Sequence, residues 1–271
     1  SDGVPKVVVL AAGLGTRMRR GDSNSRLSPQ QAAMANRGVK AMIPMERPFL
    51  DYVLSRVADA GCRDVCLVIG PGHDTIRDYY DRVPKERLSI SFAEQARPLG
   101  TANALAAAST FVGDDHCLVL NSDNCYPTRA LRGLCETPGA GIVGYDRDAL
   151  VSSGNIATDR IARFAIVEPD ADGWLQRIIE KPDPSVVARM CRPVLVSMNC
   201  WRFTPAIFAA CRMIDKSPRG EYEIPDAVTA SMEQLKQRYR IVPSTESVLD
   251  LSNQHDIASA AKQLAGEGVQ L

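Results

Sequence analysis

The sequence has no long apolar run and no excess of either charge. Its apolar stretches, such as residues 66–69 and 117–120, are far shorter than the roughly 18 residues that a membrane-spanning helix needs. Basic and acidic residues number 32 each, so no global field favours nucleic acid or an anionic membrane. No basic segment followed by an apolar one opens the chain, as it would in a secretory leader. We therefore expect a cytoplasmic protein that binds neither nucleic acid nor membranes.

Cysteine is sparse and unpatterned. Eight cysteines are scattered through 271 residues, and none stands in CxxC spacing or beside a histidine pair, which argues against a zinc site or a redox dithiol motif. We expect all eight to be reduced residues that serve in packing. No repeat of fixed period is present, so a solenoid or propeller is excluded.

Short β-type runs alternate with helical patterns in the first half of the chain. The patterns predict strands over residues 6–11, 64–69, 88–93 and 117–120, and helices over residues 48–60, 74–80 and 101–111. Such alternation is typical of βαβ crossovers, which build a parallel sheet with helices on both faces. The expected fold class is α/β, with a mixed, mainly parallel, Rossmann-like sheet.

The second half is less regular. A hairpin is predicted from residues 160–167 and 174–180, around the turn-forming sequence EPDADG. No linker rich in Gly, Ser or Pro separates the halves, so we expect one domain over residues 1–271. Further strands are predicted over residues 194–203 and 238–243, and helices over residues 205–214, 225–235 and 256–264.

A glycine-containing turn, LAAGLGTR, follows the first predicted strand. Ligands of open α/β sheets bind at the carboxyl ends of strands. Gly13 and Gly15 would let backbone N–H groups approach a polyphosphate, while Thr16 and Arg17 add a hydroxyl and a planar cation. A tight turn without a ligand is the plain alternative. A dinucleotide fingerprint would need glycine or alanine at Met18, and a Walker loop would need GKS or GKT, which is absent.

The strand at residues 117–120 leads into NSD, so Asp123 follows a run of apolar residues. A carboxylate at such a strand end is placed to hold a divalent cation on nucleotide phosphates, because magnesium prefers oxygen ligands and keeps several waters. An aspartate after a strand also commonly caps a helix or forms a turn, and the sequence leaves both roles open.

These motifs together resemble those of the sugar-1-phosphate nucleotidylyltransferases, the family that includes glucose-1-phosphate thymidylyl- and uridylyltransferases. LAAGLGTRM and the later KAMIP resemble the family's GxGTR…PK region. The resemblance implies a single nucleotidyltransferase domain with a Rossmann-like (GT-A-like) sheet, whose N-terminal half binds the nucleotide and whose C-terminal half binds the sugar phosphate. It continues in the family's order over almost the whole chain, as FLDYVLSRVADAGCRDVCLVIG, EQARPLGTANAL, VLNSDNCY, IIEKP, SMNCWRF, GEYEIPDA and SVLDLSNQHDIASA.

The resemblance assigns a nucleotide site to the first half of the chain. Arg17 and Lys40 would act as catalytic cations that neutralise the triphosphate. Gln95 would read the pyrimidine edge, since a side-chain amide both donates and accepts hydrogen bonds. Taken alone, Gln95 is a polar residue at a strand end and Lys40 a surface lysine. The implied nucleotide-binding residues are Leu10, Ala11, Ala12, Gly13, Gly15, Thr16, Gln95, Gly100 and Thr101.

The second half would bind the sugar 1-phosphate. Lys181, also a catalytic cation, would contact the phosphate and Glu180 the sugar hydroxyls, although a surface ion pair is the alternative. Asn199 and Glu221 stand where relatives contact the sugar, and Glu221 could instead cap the helix that begins at IPDAV. Gly144 would let the sugar approach the backbone, unless it forms a strand bulge. The implied cofactor is Mg2+, and its implied ligands are Asp123 and Asp250.

The implied reaction transfers a nucleotidyl group from a nucleoside triphosphate to a sugar 1-phosphate and gives an NDP-sugar and pyrophosphate. Gln95 favours UTP or dTTP. Two other classes stay open. A nucleotide-sugar-dependent glycosyltransferase would also place an aspartate after a strand, but it needs neither GxGTR nor EKP. A non-catalytic module that senses sugar nucleotides would lack Arg17, Lys40 or an aspartate ligand, all of which are present. The oligomeric state is open, a homo-oligomer included.

Three positions depart from the family pattern. Val39 replaces the usual proline before Lys40, which we expect to make the approach of the lysine less rigid. Ser122 replaces a common glycine. Trp201 falls where many relatives carry glycine, and we expect its ring to reshape the sugar pocket.

An insertion separates the arginine of the glycine loop from its lysine partner. In this chain 22 residues lie between Arg17 and Lys40, many more than in relatives. The inserted sequence SPQQ predicts a short capped helix. We expect the segment to be a mobile lid that orders over the triphosphate. Its charges are unbalanced, since Arg19, Arg20, Arg26 and Arg37 outnumber Asp22.

Overall fold

A mixed β-sheet forms the centre of the fold. The structure is a computed structural model that describes residues 3–21 and 25–271, so Asp22 of the insertion lies outside the described residues. A 3-10 turn over Lys40–Met42 follows the second helix. The first half contains strands β1 (Lys6–Leu10), β2 (Asp64–Ile69), β3 (Ser89–Glu94), β4 (Cys117–Asn121), β5 (Asn124–Cys125) and β6 (Ala140–Asp146), and helices α1 (Thr16–Arg19), α2 (Pro29–Arg37), α3 (Phe49–Asp59), α4 (Asp74–Arg82), α5 (Thr101–Ala106), α6 (Ser109–Val112) and α7 (Thr128–Glu136).

The second half adds the remaining strands, most of them short, and the remaining helices. Its strands are β7 (Ile166–Pro169), β8 (Leu175–Ile179), β9 (Leu195–Val196), β10 (Trp201–Phe203), β11 (Tyr239–Ser244) and β12 (Leu249–Asp250). Its helices are α8 (Arg147–Ser153), α9 (Thr158–Ile161), α10 (Pro184–Arg189), α11 (Ala206–Cys211), α12 (Ile224–Gln234) and α13 (His255–Leu264).

Strands from both halves of the chain share one sheet. Within the described residues, ten strands pair in the order β3-β2-β1-β4-β10-β6-β9-β7-β8, with β11 beside β6. Strands β3, β2, β1 and β4 are parallel, and β10 enters antiparallel between β4 and β6. A second, two-stranded sheet pairs β5 with β12. The expected α/β fold with a mixed, mainly parallel sheet is confirmed.

Helices cover both faces of the sheet, as the alternating pattern predicts. Along β1, Val7 and Val9 belong to one hydrophobic cluster and Val8 to the other, because successive strand residues point to opposite faces. Helices α3, α7 and α13 bury their apolar residues in the first cluster, and α5, α11 and α12 in the second. The sheet is therefore fixed from both sides, and its carboxyl edge is free to carry a site.

The predicted capped helix in the insertion is present as α2. The Ser28 hydroxyl accepts a hydrogen bond from the Gln31 N–H at 3.1 Å, and the Gln31 side chain accepts one from the Ser28 N–H at 3.1 Å. Pro29 occupies the first turn, where its missing N–H needs no partner. This reciprocal capping stabilises α2, which at nine residues is too short to be stable as an isolated helix.

Several predicted elements are interrupted. The predicted helix over 101–111 divides into α5 and α6, because the chain turns at residues 107–108. The predicted strand over 194–203 divides into β9 and β10, since Asn199 takes a left-handed conformation with φ of +54°. The predicted hairpin begins only at Ile166, because Arg160 belongs to α9. Helix α7 and strand β6 have no counterpart among the predicted elements.

Trp201 lies in the core and not along the cleft described below. Its side chain is 1% exposed and stacks on Phe203 with ring centroids 5.4 Å apart. Tyr239 meets both rings edge-on. The ring packs in the hydrophobic cluster to which α11 and α12 contribute, and its expected effect on a sugar pocket stays a prediction.

All eight cysteines are free thiols. The packing role is wrong for Cys191, which is exposed. Cys62 and Cys135 share a hydrogen bond between sulfurs 3.3 Å apart. No helix in the described part of the chain combines the length and the apolar character that a membrane span requires.

Candidate functional site

A cleft of about 440 Å³ opens at the carboxyl ends of β1, β3 and β4. The Ser122 N–H donates to the Leu10 carbonyl at 3.1 Å, which holds the loop after β4 against the end of β1. The cleft is lined by predicted site residues Leu10, Ala11, Ala12, Gly13, Gly15, Thr16, Lys40, Gln95, Gly100, Thr101, Asp123 and Glu221. The other predicted site residues, Arg17, Gly144, Glu180, Lys181, Asn199 and Asp250, lie outside this lining.

The two glycines of the loop after β1 have different surroundings. Gly15 has φ of +61°, and a Cβ there would stand 2.3 Å from the carbonyl oxygen of Gly38. Gly38 ends α2 in a left-handed conformation, so the insertion packs its backbone directly on the glycine loop. A Cβ at Gly13 would meet nothing within 4 Å. The space beside Gly13 is therefore open to a ligand, whereas Gly15 is required by the fold itself.

Arg17 is exposed on α1 and does not reach the cleft. Helix α1 is anchored by Met18, whose side chain is fully buried and whose carbonyl accepts from the Gln254 amide at 2.9 Å. The predicted catalytic contact of Arg17 with a triphosphate therefore needs its long side chain to turn inward, and this role stays a prediction.

Lys40 and Asp123 form an ion pair in the cleft. The Lys40 Nζ is 2.9 Å from the Asp123 Oδ2, and the two side chains are 18% and 24% exposed. Asp123 follows β4, and Lys40 opens the 3-10 turn after α2. That turn is closed by a hydrogen bond of 3.2 Å from the Met42 N–H to the Val39 carbonyl. The lysine is thus held by a hydrogen-bonded turn, although Val39 replaces proline.

Asp250 is brought beside Asp123 by the small sheet. Strand β12 pairs Asp250 with Asn124, and the Asn124 amide donates to the Asp250 carboxylate at 2.8 Å. The Leu251 N–H donates to the Asp123 carbonyl at 2.9 Å. Burial, and next the negative charge of Asp123, raise the pKa of the Asp250 carboxyl above its usual range. The two predicted metal ligands therefore share one region, in which their charges repel.

The residues at this point offer oxygen ligands of the kind that a hard divalent cation takes, and both Asp250 carboxylate oxygens already accept hydrogen bonds, Oδ1 from the Asn124 amide and Oδ2 from the Ser252 hydroxyl. No cluster of three or more histidine, cysteine or acidic residues that could hold a metal exists among residues 3–21 and 25–271. Asp123 and Asp250 supply two carboxylates, which is the number that magnesium commonly takes from a protein when phosphates and waters complete its octahedron. Lys40 already places one positive charge against Asp123.

The opposite end of the cleft is built where α5 begins. Gly100 has φ of +103°, and a Cβ there would stand 2.4 Å from the Tyr222 carbonyl oxygen. The Ile224 N–H donates to the Thr101 hydroxyl at 2.9 Å. The GEYEIP segment from the second half of the chain therefore docks on the loop that follows Gln95. Through this docking Glu221 reaches the cleft wall, and its carboxylate is 3.6 Å from the Arg219 guanidinium.

Two predicted sugar-phosphate residues have an uncommon backbone conformation. Lys181 has φ of +44° and Asn199 has φ of +54°, and both side chains are exposed. The third non-glycine residue of positive φ in the described chain, Lys236, follows the end of α12, where this conformation is ordinary. Residues held in the left-handed region are strained, and such residues concentrate at binding sites.

Glu180 lies in an acidic neighbourhood. Partial burial, followed by the charges of Glu223 and Asp226, raises the pKa of the Glu180 carboxyl. Burial and Glu223 likewise raise the pKa of Asp226. Arg219 pairs with Glu223 and reduces this repulsion. Glu180 is thus an exposed acceptor near α12 and not the partner of an ion pair with its neighbour Lys181.

Gly144 has a packing explanation. It lies in β6, and a Cβ there would stand 3.0 Å from the Ile241 side chain and 3.1 Å from that of Leu195. The pairing of β6 with β11 runs without a shift through Gly144, so the alternative of a strand bulge is wrong. The predicted approach of a sugar to the backbone at Gly144 stays a prediction.

Tyr126 connects the two halves of the site, and sequence reasoning missed it. Its hydroxyl accepts from the Asn121 N–H at 3.2 Å and donates to the Met198 carbonyl at 2.8 Å. The residue is fully buried, and burial raises the pKa of its phenol well above the usual range, so the hydroxyl stays neutral. Tyr126 therefore fixes the end of β4 against the segment that carries Asn199.

Arg160 and His73 were also missed. The Arg160 guanidinium lies 3.2 Å from the Asp250 carboxylate and 3.0 Å from that of Asp256. No local sequence pattern indicates this role for Arg160, because its partners Asp250 and Asp256 lie about 90 residues or more further along the chain. His73 lines the cleft, and its Nδ1 accepts from the Gly70 N–H at 3.1 Å. Burial lowers the pKa of His73. Its position in the loop after β2 could have predicted that it lies near the site, because ligands bind at the carboxyl ends of strands.

A glycine loop, an ion-paired lysine and two neighbouring aspartates at the carboxyl edge of a mixed sheet define a nucleotide-binding protein of α/β type. The chain belongs to the nucleotidyl transferase family, whose family model matches residues 6–267. It is 32% identical over 226 residues to a glucose-1-phosphate thymidylyltransferase of Streptomyces antibioticus, which covers 82% of this chain and 56% of that relative. It is 28% identical over 230 residues to a UTP–glucose-1-phosphate uridylyltransferase of Haloferax volcanii, covering 82% of each chain.

Solved structures of similar fold include a UDP-glucose pyrophosphorylase complexed with UDP-glucose. The TM-score is 0.74, with 98% of this chain and 100% of that chain covered and 16% sequence identity. A UDP-glucose pyrophosphorylase from Acinetobacter baumanii has a TM-score of 0.72 at 20% identity. At these identities the likeness concerns the fold alone. The chain spans 56% of the length of the Streptomyces relative, so the activity of that whole protein does not transfer by likeness.

Proposed function

We propose that the protein transfers a nucleotidyl group from a nucleoside triphosphate to a sugar 1-phosphate. The observation that carries the proposal is the convergence of the open Gly13 loop with the Lys40–Asp123 pair in one cleft. Asp250 stands beside Asp123. The relatives named above are sugar-1-phosphate nucleotidylyltransferases by name, which supports the same reaction class.

The chemistry needs no nucleophile from the protein. A phosphate oxygen of the sugar 1-phosphate attacks the α-phosphorus, and the bond from that phosphorus to the bridging oxygen breaks, so that pyrophosphate leaves with the electron pair. The attacking oxygen is already anionic, so the protein must chiefly position two anions in line and offset their repulsion. Lys40 lies in the cleft with one cationic charge for this purpose.

A divalent cation, proposed as Mg2+, would be held by Asp123 and Asp250 and would polarise phosphate oxygens. Lys40 and Asp123 balance each other in the structure. If Asp123 held the cation, the ammonium of Lys40 would be free to contact the triphosphate. The glycine loop would contribute backbone N–H groups to the triphosphate. Gln95 and Gly100 would lie against the base at the other end of the cleft, and the proposed nucleotide is UTP or dTTP.

A pyrophosphate-release screen tests this function. ATP, CTP, GTP, UTP and dTTP are each incubated with a panel of sugar 1-phosphates and magnesium, and release is followed against a control without sugar phosphate. Release that depends on both substrates supports transfer. Release of nucleoside diphosphate from an NDP-sugar, without pyrophosphate chemistry, would identify a glycosyltransferase instead, and silence across the panel would contradict the enzymatic proposal.

Lys181→Gln is expected to raise KM for the sugar 1-phosphate by about tenfold to a hundredfold, because a charge-assisted contact contributes roughly 1.5–3 kcal/mol. KM for the nucleotide should stay unchanged. Lys236→Gln is the matched control, since Lys236 is also an exposed lysine with a left-handed backbone, with φ of +55°. Steady-state kinetics in each substrate separate the two; equal behaviour of both variants would remove Lys181 from the sugar-phosphate site.

The insertion is proposed to close over the bound triphosphate. Helix α2 touches the glycine loop through Gly38, and Arg26 and Arg37 are exposed at the two ends of this helical segment. Nucleotide with magnesium should slow tryptic cleavage after these two arginines. Cleavage after Arg189, which is exposed at the end of α10, should keep its rate. Equal rates at all sites with and without nucleotide, measured by mass spectrometry, would rule out closure.

A further inference from the structure

The amide of Gln95 is held by the protein itself. Gln95 follows β3, is 7% exposed and lines the cleft. Its Nε2 lies 3.0 Å from the Gly100 carbonyl oxygen and 2.8 Å from the Asn103 Oδ1. Asn103 stands on α5, two residues after Thr101 opens that helix. These contacts determine which atom of the Gln95 amide remains available to a ligand.

The identity of each amide atom follows from the Gly100 carbonyl. A backbone carbonyl oxygen can only accept a hydrogen bond, so the Gln95 atom beside it must be the nitrogen. The Asn103 atom that meets the same nitrogen must then be its oxygen. The orientation of both side-chain amides is thus fixed by one acceptor of known polarity, which removes the usual ambiguity between oxygen and nitrogen.

Both N–H bonds of the Gln95 amide are therefore used within the protein. The Oε1 atom remains, and no donor within the described ranges hydrogen-bonds to it. The sequence predicts an amide that donates and accepts against a base, but the folded chain leaves only the acceptor. A ligand that hydrogen-bonds to this acceptor must bring a donor, such as the ring N–H of a base.

We propose that Asn103 is a specificity-determining positioning residue, which holds Gln95 as a pure acceptor and so selects a pyrimidine whose ring N3 carries a proton. Uracil and thymine have that N–H, whereas cytosine has a lone pair at the same ring position. The inference rests on the proposed nucleotide site and names its base class. Asn103 acts through Gln95 and need not touch the base.

The expected discrimination between uracil and cytosine comes from the cost of leaving the Gln95 Oε1 without a donor. If cytosine binds, its N3 lone pair lies against the Gln95 Oε1, so the hydrogen bond is lost and two acceptors repel each other. One such mismatch at a shielded amide changes affinity by roughly tenfold or more, since about 1.4 kcal/mol corresponds to a factor of ten. If Asn103 loses its oxygen, one Nε2–H is released and can turn to the cleft, where it would donate to the N3 of cytosine.

Direct binding of UTP and CTP tests the proposal in the full chain. Calorimetric titration is done with magnesium and without sugar 1-phosphate, so the result reports on the base whether or not turnover occurs. Asn103→Leu keeps the approximate size but removes the acceptor. Asn103→Asp keeps an acceptor oxygen in the same place. A thermal melt of each variant verifies that it is folded.

Wild type should prefer UTP over CTP, and Asn103→Leu should narrow that ratio by about tenfold. Asn103→Asp should restore most of the ratio that the leucine variant loses. An unchanged ratio in Asn103→Leu would overturn the proposal, as would an aspartate variant that behaves like the leucine one. If binding follows the expected ratios but the pyrophosphate screen is silent, the base assignment stands and the proposed transfer reaction fails.

Discussion

Asp123→Asn is expected to lower turnover by about a thousandfold while the protein stays folded, because loss of the proposed metal ligand would remove several kcal/mol of charge stabilisation in the transition state. The amide retains the shape of the carboxylate but cannot balance a divalent cation. Lys40 also loses its partner at 2.9 Å. That ion pair is partly exposed, so its contribution to folding is at most about 1 kcal/mol.

The measurement is kcat across a magnesium titration, together with a urea unfolding curve. Asp114→Asn is the matched control, since Asp114 is exposed and precedes β4, at the opposite end of the strand that leads to Asp123. The control should keep wild-type turnover. Wild-type kcat in Asp123→Asn at all magnesium concentrations would contradict the proposed role of Asp123 as a metal ligand.

Gly15→Ala and Gly13→Ala should separate the two functions of the glycine loop. Alanine at Gly15 must take φ of +61° and bring its Cβ 2.3 Å from the Gly38 oxygen, so the loop and α2 have to move apart. We expect a loss of stability on the order of 2 kcal/mol. Nucleotide use should fall by about a hundredfold, because displaced N–H groups no longer meet the triphosphate.

Gly13→Ala should leave stability unchanged, since its Cβ enters open space in the free protein. If the triphosphate fills that space, KM for the nucleotide should rise by more than about tenfold, because overpacking displaces the phosphates. Urea unfolding and nucleotide kinetics measure both effects. A wild-type KM in Gly13→Ala would place the phosphates elsewhere, and full stability in Gly15→Ala would contradict the contact with Gly38.

Local signals in the sequence were sufficient for the elements that frame the cleft. Strand β2 has the predicted bounds, because its apolar run is set off by turn-forming residues on both sides. Ser28 and Gln31 predict the start of α2, because they have the spacing of a capping box. Gly13, Gln95 and Asp123 could be placed at strand ends, and the cleft contains all three. Their roles in binding stay predictions.

Contacts between distant segments could not be read from the sequence. Lys40 meets Asp123 across 83 positions and Asn124 meets Asp250 across 126, and no local pattern encodes such pairs. The polarity of Gln95 was missed for the same reason, because it depends on where α5 places Asn103. The break at Asn199, by contrast, had a local signal that the strand prediction passed over, since asparagine is disfavoured in strands and adopts the left-handed conformation more readily than most residues.

The buried hydroxyl of Tyr126 has a consequence for how the two substrates would meet. By joining the backbone at Asn121 to that at Met198, it sets the distance between the end of β4 and the Asn199 loop within the core. For the proposed reaction, the gap between nucleotide and sugar phosphate would then be preset by folding, and little of the binding energy would be needed to create it.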